Sequence, residues 1–256
     1  MQLAQEGNMN IEFNLEVQEH VGILHFQRGK VNPMDRDAKF AFGEMIDQVN
    51  ENREIHVLIL HSTAKGFTAG SDVNGFGDFS HENMARYLEG DCRIMDSVKN
   101  CRVPVIMALN RFSVGLGVGL AYACDLIIAE EGSILKFPEI LVGSIGGADF
   151  LDLLLPDKMG RYMAYTGAAV PVEDLVPCGV IHKVVPKERL LEECVALGKT
   201  IAANHPRAVE LMKEILNKVQ EPTIPIGIRR KLGIFAQHEM LDQPDRLDLI
   251  KGFLEK

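Results

Sequence analysis

The first half of the chain alternates between short apolar runs and longer stretches with helical spacing. Residues 10–16 and 20–26 are rich in Val, Ile and Phe around a Glu19-His20 turn, which predicts a β-hairpin. A loop follows over residues 29–35. Residues 36–52 then place Phe40, Phe42, Met45, Ile46 and Val49 at helical spacing among acids and amides, predicting an amphipathic helix. HVLILH, residues 56–61, is a continuous apolar run between two histidines, as in a strand covered on both faces. A glycine-containing loop at 66–72, a helix at 82–100, a second apolar strand at 103–109, a small-residue helix at 115–124 and a third strand at 126–129 complete the alternation. Repeated strand, crossover and strand imply βαβ units with right-handed connections. From Gly160 helical spacing dominates, over residues 161–166, 172–176, 187–203 and 206–219. Pro222 and Pro225 interrupt it before a last helix at 229–240. The pattern predicts a parallel-sheet core over about residues 10–150, followed by a helical region.

Composition narrows the classes. The 256 residues are 46% hydrophobic and 25% charged, ordinary globular usage for one or two domains. Lys and Arg number 27 against 36 Asp and Glu, a net charge of −9 that disfavours nucleic acid and anionic lipid as partners. No apolar run approaches the roughly 20 residues that cross a bilayer, so no membrane association is expected. The N-terminus lacks a basic segment followed by an apolar one, and residues 1–9 are expected to form a flexible leader. Cys92, Cys101, Cys124, Cys178 and Cys194 form no CxxC pair, which fits reduced thiols in the cytoplasm. The eight histidines include no HxH or HExxH, so no metal site is expected; His25, His56 and His61, in or beside strands, read as structural. With no Trp and 6% aromatics, stacking platforms for bases are scarce.

Three loops follow strand segments, where open α/β folds bind ligands. The first is K-G-F-T-A-G-S-D, residues 65–72. The second, N-R-F-S-V-G-L-G-V-G at residues 110–119, leads into a helix whose N-terminal N–H groups favour negative charge. The third is F-P-E-I-L-V-G, residues 137–143. Each has a plain reading, as a turn or, for Glu139, as a solvated carboxylate. G-L-G-V-G is no dinucleotide fingerprint, because no acid ends a following strand at the right distance.

Order and spacing together resemble the crotonase family, the enoyl-CoA hydratase/isomerase superfamily. F-T-A-G-S-D-V resembles that family's F-x-A-G-x-D-[LIV]. The segment P-V-I-M-A-L-N, four residues, G-L-G, three residues, A-Y-A-C-D-L-I-I-A is similar to its second motif. F-P-E-I-L-V-G-S-I resembles its P-E loop, and T-G-A-A-V-P-V-E-D-L-V-P-C-G-V-I-H-K-V-V-P its later helical segment. The likeness runs collinearly from about Ile11 to Lys256. It implies an α/β crotonase-like (ClpP/crotonase) spiral of ββα units, with the core over residues 10–195. A helical region at 196–256 would pack on the core and on neighbouring subunits of a homotrimer or dimer of trimers.

The resemblance also implies an acyl-CoA substrate, with coenzyme A as part of it and no permanently bound cofactor. Two backbone N–H groups would hold the thioester oxygen as an enolate develops. The first donor falls on Ser71 and the second on Leu116, with Gly117 as the adjacent alternative. Coenzyme A contacts are expected from Lys30 and Val31, and from Ala69, Gly70, Asp72 and Val73. Glu139 falls on the P-E-loop acid/base.

Departures from the family pattern bear on the chemistry. Gly119 stands where hydratases carry a first glutamate, whereas water addition uses two carboxylates. Moving a double bond needs one base beside a dienolate, so isomerisation is favoured. Hydration or dehydration, decarboxylation or hydrolysis of a specialised thioester, and acyl-CoA binding without turnover stay open. Arg111 replaces the usual glycine after Asn110. Asp149 reads either as a helix cap or as a second catalytic carboxylate, and Tyr122 and Tyr165 as packed helical tyrosines.

Overall fold

The computed structural model describes residues 10–72, 81–142 and 148–219. The expected leader, Val73, and the expected helix at 229–240 lie outside the described residues. In chain order the first elements are β1 (Glu12–Gln18), β2 (Val21–Gln27), β3 (Pro33–Met34), α1 (Arg36–Glu51), β4 (Val57–Ser62) and β5 (Gly70–Ser71). Then come α2 (His81–Lys99), β6 (Val105–Leu109), β7 (Phe112–Val114), α3 (Leu116–Ala123), β8 (Leu126–Glu130) and β9 (Ile134–Lys136). The remainder comprises a 3-10 turn at Glu139–Val142, α4 (Ala148–Leu154), α5 (Asp157–Thr166), β10 (Ala169–Pro171), β11 (Lys183–Val185), α6 (Leu190–Ala202) and α7 (Pro206–Val219).

Among the described residues the main sheet has the order β1-β2-β4-β6-β8-β11. β1 and β2 are the antiparallel hairpin, and the pairs from β2 onward are parallel. The hairpin turn puts Glu19 at φ 48° and His20 at φ 67°, the left-handed pair whose twist matches the flanking strands. β2, β4 and β6 are apolar on both faces because both faces are covered. Leu24, Phe26, Leu58, Leu60, Val105 and Met107 point to the side packed with Phe42, Ile46 and Val49 of α1 and Ile94 and Val98 of α2. The alternate residues Val21, Ile23, Val57, Ile59, Ile106 and Ala108 face Leu190 and Cys194 of α6. α1 starts where it does because the Asp35 carboxylate accepts the Ala38 N–H at 2.8 Å. His25 and His61, paired across β2 and β4, share an Nδ1···Nδ1 hydrogen bond of 2.9 Å. Burial, then His25, pushes the His61 pKa down to about 4, which leaves this ring neutral at pH 7.

The sheet does not end near residue 150, as the periodicity predicts. β11 extends it by pairing with β8, and α6 packs on its face. Its three residues are too few for alternation to register. A second layer was equally illegible: β10, β9 and β7 form a three-stranded sheet, and β3 pairs with β5 over two residues each. Asp149 is the second residue of α4, so its backbone lies in the first turn rather than at the cap position. The chain up to Ala202 forms one compact unit, and a second begins at Ala203. Among the described residues, no helix is long and apolar enough to cross a membrane.

Candidate active site

Loop 28–32 and loop 65–70 are stitched together by one buried amide. Asn32 sits at φ 51°, a conformation asparagine tolerates, with no exposed surface. Its side-chain nitrogen donates to Ser62 Oγ at 2.8 Å and to the Phe67 carbonyl at 2.9 Å, and its Oδ1 accepts the Arg28 N–H at 2.6 Å. The Thr68 hydroxyl donates to the Asn32 carbonyl at 2.5 Å and accepts the Gly70 N–H at 3.0 Å. Lys65 N–H donates to the Lys30 carbonyl at 3.0 Å, and Ala69 N–H to the Val31 carbonyl at 2.8 Å. Lys30 and Val31 therefore lie beside Ala69 and Gly70, with Lys30 exposed. The Asp72 carboxylate lies 3.4 Å from Arg28, which also pairs with Asp35.

The two candidate donor loops meet backbone to backbone. Gly70 has φ 89°, and a Cβ built there would lie 2.6 Å from the Val114 carbonyl oxygen and 3.6 Å from Leu116 N. Only glycine allows that approach. Leu116 opens α3, whose N-cap Gly115 offers no side-chain cap. The first-turn N–H groups of a helix have no carbonyl one turn earlier to bond, and the dipole makes this end positive. Gly117 faces elsewhere: a Cβ there would lie 2.6 Å from Thr68 Cγ2 and would collide with Ser113 Oγ. A side chain is thus excluded at Gly117, while Leu116 N borders Gly70.

Glu139 enters from the third loop, at the start of the 3-10 turn. Gly115 N–H donates to the Lys136 carbonyl at 2.9 Å, so the end of β9 is tied to the start of α3. A Cβ on Gly115 would overlap Glu139 Oε1, so the carboxylate lies directly against the helix N-terminus. Glu139 Oε2 is buried with no hydrogen-bond partner among the described residues. Burial raises its pKa to about 7, opposed by a bond to its own backbone N–H and reinforced by the nearby charge of Asp91. The structure therefore brings together Gly70, Ser71, Leu116 and Glu139, drawn from three loops. The side chain of Asp149 lies outside the described residues.

The profile of the enoyl-CoA hydratase/isomerase family matches residues 16–256. The chain belongs to that family. It is 30% identical to (7aS)-7a-methyl-1,5-dioxo-2,3,5,6,7,7a-hexahydro-1H-indene-carboxyl-CoA hydrolase of Rhodococcus jostii, over 79% of this chain and 79% of that protein. It is 28% identical to the mitochondrial enoyl-CoA hydratase of Pongo abelii, over 83% of this chain and 75% of that protein. A crystal structure of an enoyl-CoA hydratase from Bacillus anthracis superposes with a TM-score of 0.88 at 26% identity, covering 96% of each chain. The fold is that of the crotonase enzymes.

Within this enoyl-CoA hydratase/isomerase family member, Gly119 is more than a missing carboxylate. A Cβ built at Gly119 would lie 2.5 Å from Met95 Sδ and 3.2 Å from Phe150 Cε1. Phe150 in turn packs edge-on to Phe137 at 5.7 Å between ring centroids. A thioether and an aromatic ring thus occupy the space that a side chain at 119 would enter. Sequence reasoning passed over α2, whose Asp91, Met95 and Lys99 recur every fourth residue. Asp91 accepts from Ser71 Oγ at 3.3 Å, Met95 covers Gly119, and Lys99 Nζ lies 4.8 Å from the centre of the Tyr122 ring. The i, i+4 spacing was the available signal.

Proposed function

We propose that this protein is a CoA-thioester enzyme that shifts a double bond between the β,γ and α,β positions of an enoyl-CoA, with Glu139 as its one acid/base. The observation that carries this reading is the pairing of a carboxylate poised near neutrality with an apolar plug, Met95 and Phe150, where a second carboxylate would stand. The backbone N–H groups of Ser71 and Leu116 bind the thioester oxygen, with Leu116 preferred to Gly117 because it borders Gly70. Lys30 and Val31, with Ala69 and Gly70, line the approach of the coenzyme A moiety.

Ionised Glu139 takes a proton from the α carbon. The C–H electron pair moves into the thioester, giving a dienolate whose oxygen is held by the two N–H groups. Protonated Glu139 returns the proton to the γ carbon, the dienolate electrons reform the carbonyl, and the double bond ends in conjugation. No water is consumed. A pKa near the working pH lets one group serve in both directions, and each oxyanion donor contributes about 3–4 kcal/mol.

Mixing the enzyme with a 3-enoyl-CoA tests the reading. The conjugated-thioester absorbance should rise, while the absorbance of crotonyl-CoA should persist. Rapid loss of the crotonyl-CoA band would contradict it. The plug makes a further prediction: Gly119→Glu alone should gain little hydration, since the Met95 thioether must first move aside. Gly119→Glu with Met95→Ala should gain measurable crotonyl-CoA hydration, read by the fall of the same band.

Hydrolysis of a specialised acyl-CoA is the second reading, favoured by the Rhodococcus jostii relative, which is named a hydrolase. The same oxygen site would then hold the tetrahedral oxyanion formed as water adds to the thioester carbonyl. The C–S bond would break with the sulfur leaving as the free thiol of coenzyme A, and a free carboxylic acid with free coenzyme A among the products would identify it.

A further inference from the structure

Lys39 of α1 has no exposed surface, and its Nζ lies 2.7 Å from Asp91 Oδ1 of α2. Burial holds its pKa below the ordinary lysine value, with Asp91 as the main opposing influence. The same Oδ1 accepts from the hydroxyl of Ser71, which carries the first proposed oxyanion donor. The Lys39 stem also packs on α2, since a Cβ at Gly90 would lie 3.0 Å from Lys39 Cδ. An ammonium buried this deeply is costly to keep unless it is paired and hydrogen-bonded. Here the pair does not sit at random in the core: it ends on Ser71.

We propose that Lys39 and Asp91 form a charged strut that positions Ser71, so that Asp91 is a positioning residue for the oxyanion hole. This inference rests on the reading of Ser71 N–H as a donor to the thioester oxygen. β5 is two residues long and, among the described residues, pairs with only the two residues of β3, so its own ladder gives Ser71 little rigidity. The strut ties Ser71 to α1 and α2 through Asp91. Asp91 is ion-paired with Lys39 and accepts from Ser71 Oγ, so it positions Ser71, while its charge also helps to raise the Glu139 pKa.

Acetoacetyl-CoA is a suitable probe, because its enolate absorbs in the near ultraviolet and reports oxyanion stabilisation without turnover. Wild-type protein should develop the enolate band. Asp91→Asn should lose most of it, and its kcat for 3-enoyl-CoA isomerisation should fall by about 10–100-fold, with KM changing less than about threefold. Ser71→Ala keeps the N–H and removes the hydroxyl, and should lose part of the band. Since Asp91→Asn leaves a buried ammonium poorly compensated, Lys39→Met/Asp91→Leu serves as the folded control. It should keep the wild-type circular dichroism and yet lack the band. A full band in the folded double variant or in Ser71→Ala would overturn the strut. A wild-type protein with no band would overturn the oxyanion reading itself, and the strut with it.

Discussion

Glu139→Gln should lower kcat for 3-enoyl-CoA isomerisation by about 10³-fold while the protein becomes more stable at alkaline pH. The rate effect follows from removing the only proton carrier in the proposed mechanism, within the usual 10²- to 10⁴-fold range for general acid/base catalysis. The stability effect follows from burial. The folded pKa is about 7, above the ordinary glutamate value of 4.5, so the folded protein retains a proton that the unfolded chain releases between these values. Stability contributed by protonated Glu139 is therefore complete below about pH 4.5 and is lost as pH rises through 7. Glutamine stays neutral throughout. Allowing for partial exposure of the side chain, the variant should gain about 1–2 kcal/mol at pH 8 and almost nothing at pH 4. Urea midpoints at the two pH values check this, and a variant no more stable at pH 8 would contradict burial of the charge. In the wild type, kcat/KM should rise through pH 7 as the base form is populated.

Gly115→Ala should reduce kcat by about 10²- to 10³-fold. Gly115 has φ 54° and ψ −112°, and its missing Cβ marks the place where Glu139 Oε1 rests. A methyl group there strains the turn into α3 and displaces the carboxylate from the start of that helix. The strain alone costs on the order of 1–3 kcal/mol. Gly132→Ala separates the two effects. Gly132 has φ 73° but nothing within 4 Å of its hypothetical Cβ, so that variant should lose about 1 kcal/mol and keep its activity. Equal activity loss in both variants would mean that Gly115 matters for backbone conformation and not for its contact with Glu139.

Long elements were legible in the sequence because their periodicity is driven by burial. HVLILH reads as a covered strand, and its alternate residues do pack on two different layers. Helix α7 spans the same residues, Pro206–Val219, that spacing assigns to a helix. What stayed hidden was structure held by two- or three-residue pairings, such as β3 with β5, and by side chains far apart in sequence. Asp91 illustrates the second case. Its importance lies in contacts with Lys39 and Ser71, which are 52 and 20 positions away; the i, i+4 spacing with Met95 and Lys99 marks a shared helix face but not those contacts. The glycines were legible as loop residues, but their individual tasks were not. Gly70 admits a neighbouring backbone, Gly115 a carboxylate, and Gly117 the side chains of Thr68 and Ser113. Arg111 shows the converse, a left-handed residue at φ 51° that bears a side chain where glycine is the easier choice.

The central claim is that one carboxylate moves a proton within the substrate and activates no water. Proton NMR in D₂O, following a 3-enoyl-CoA and crotonyl-CoA in parallel with wild type and Glu139→Gln, tests it most directly. The account predicts Glu139-dependent conversion of the 3-enoyl to the 2-enoyl thioester, with deuterium entering the γ carbon only as far as the proton on Glu139 exchanges with solvent before its return, and no 3-hydroxyacyl product. Accumulation of 3-hydroxyacyl-CoA with little double-bond migration would contradict it.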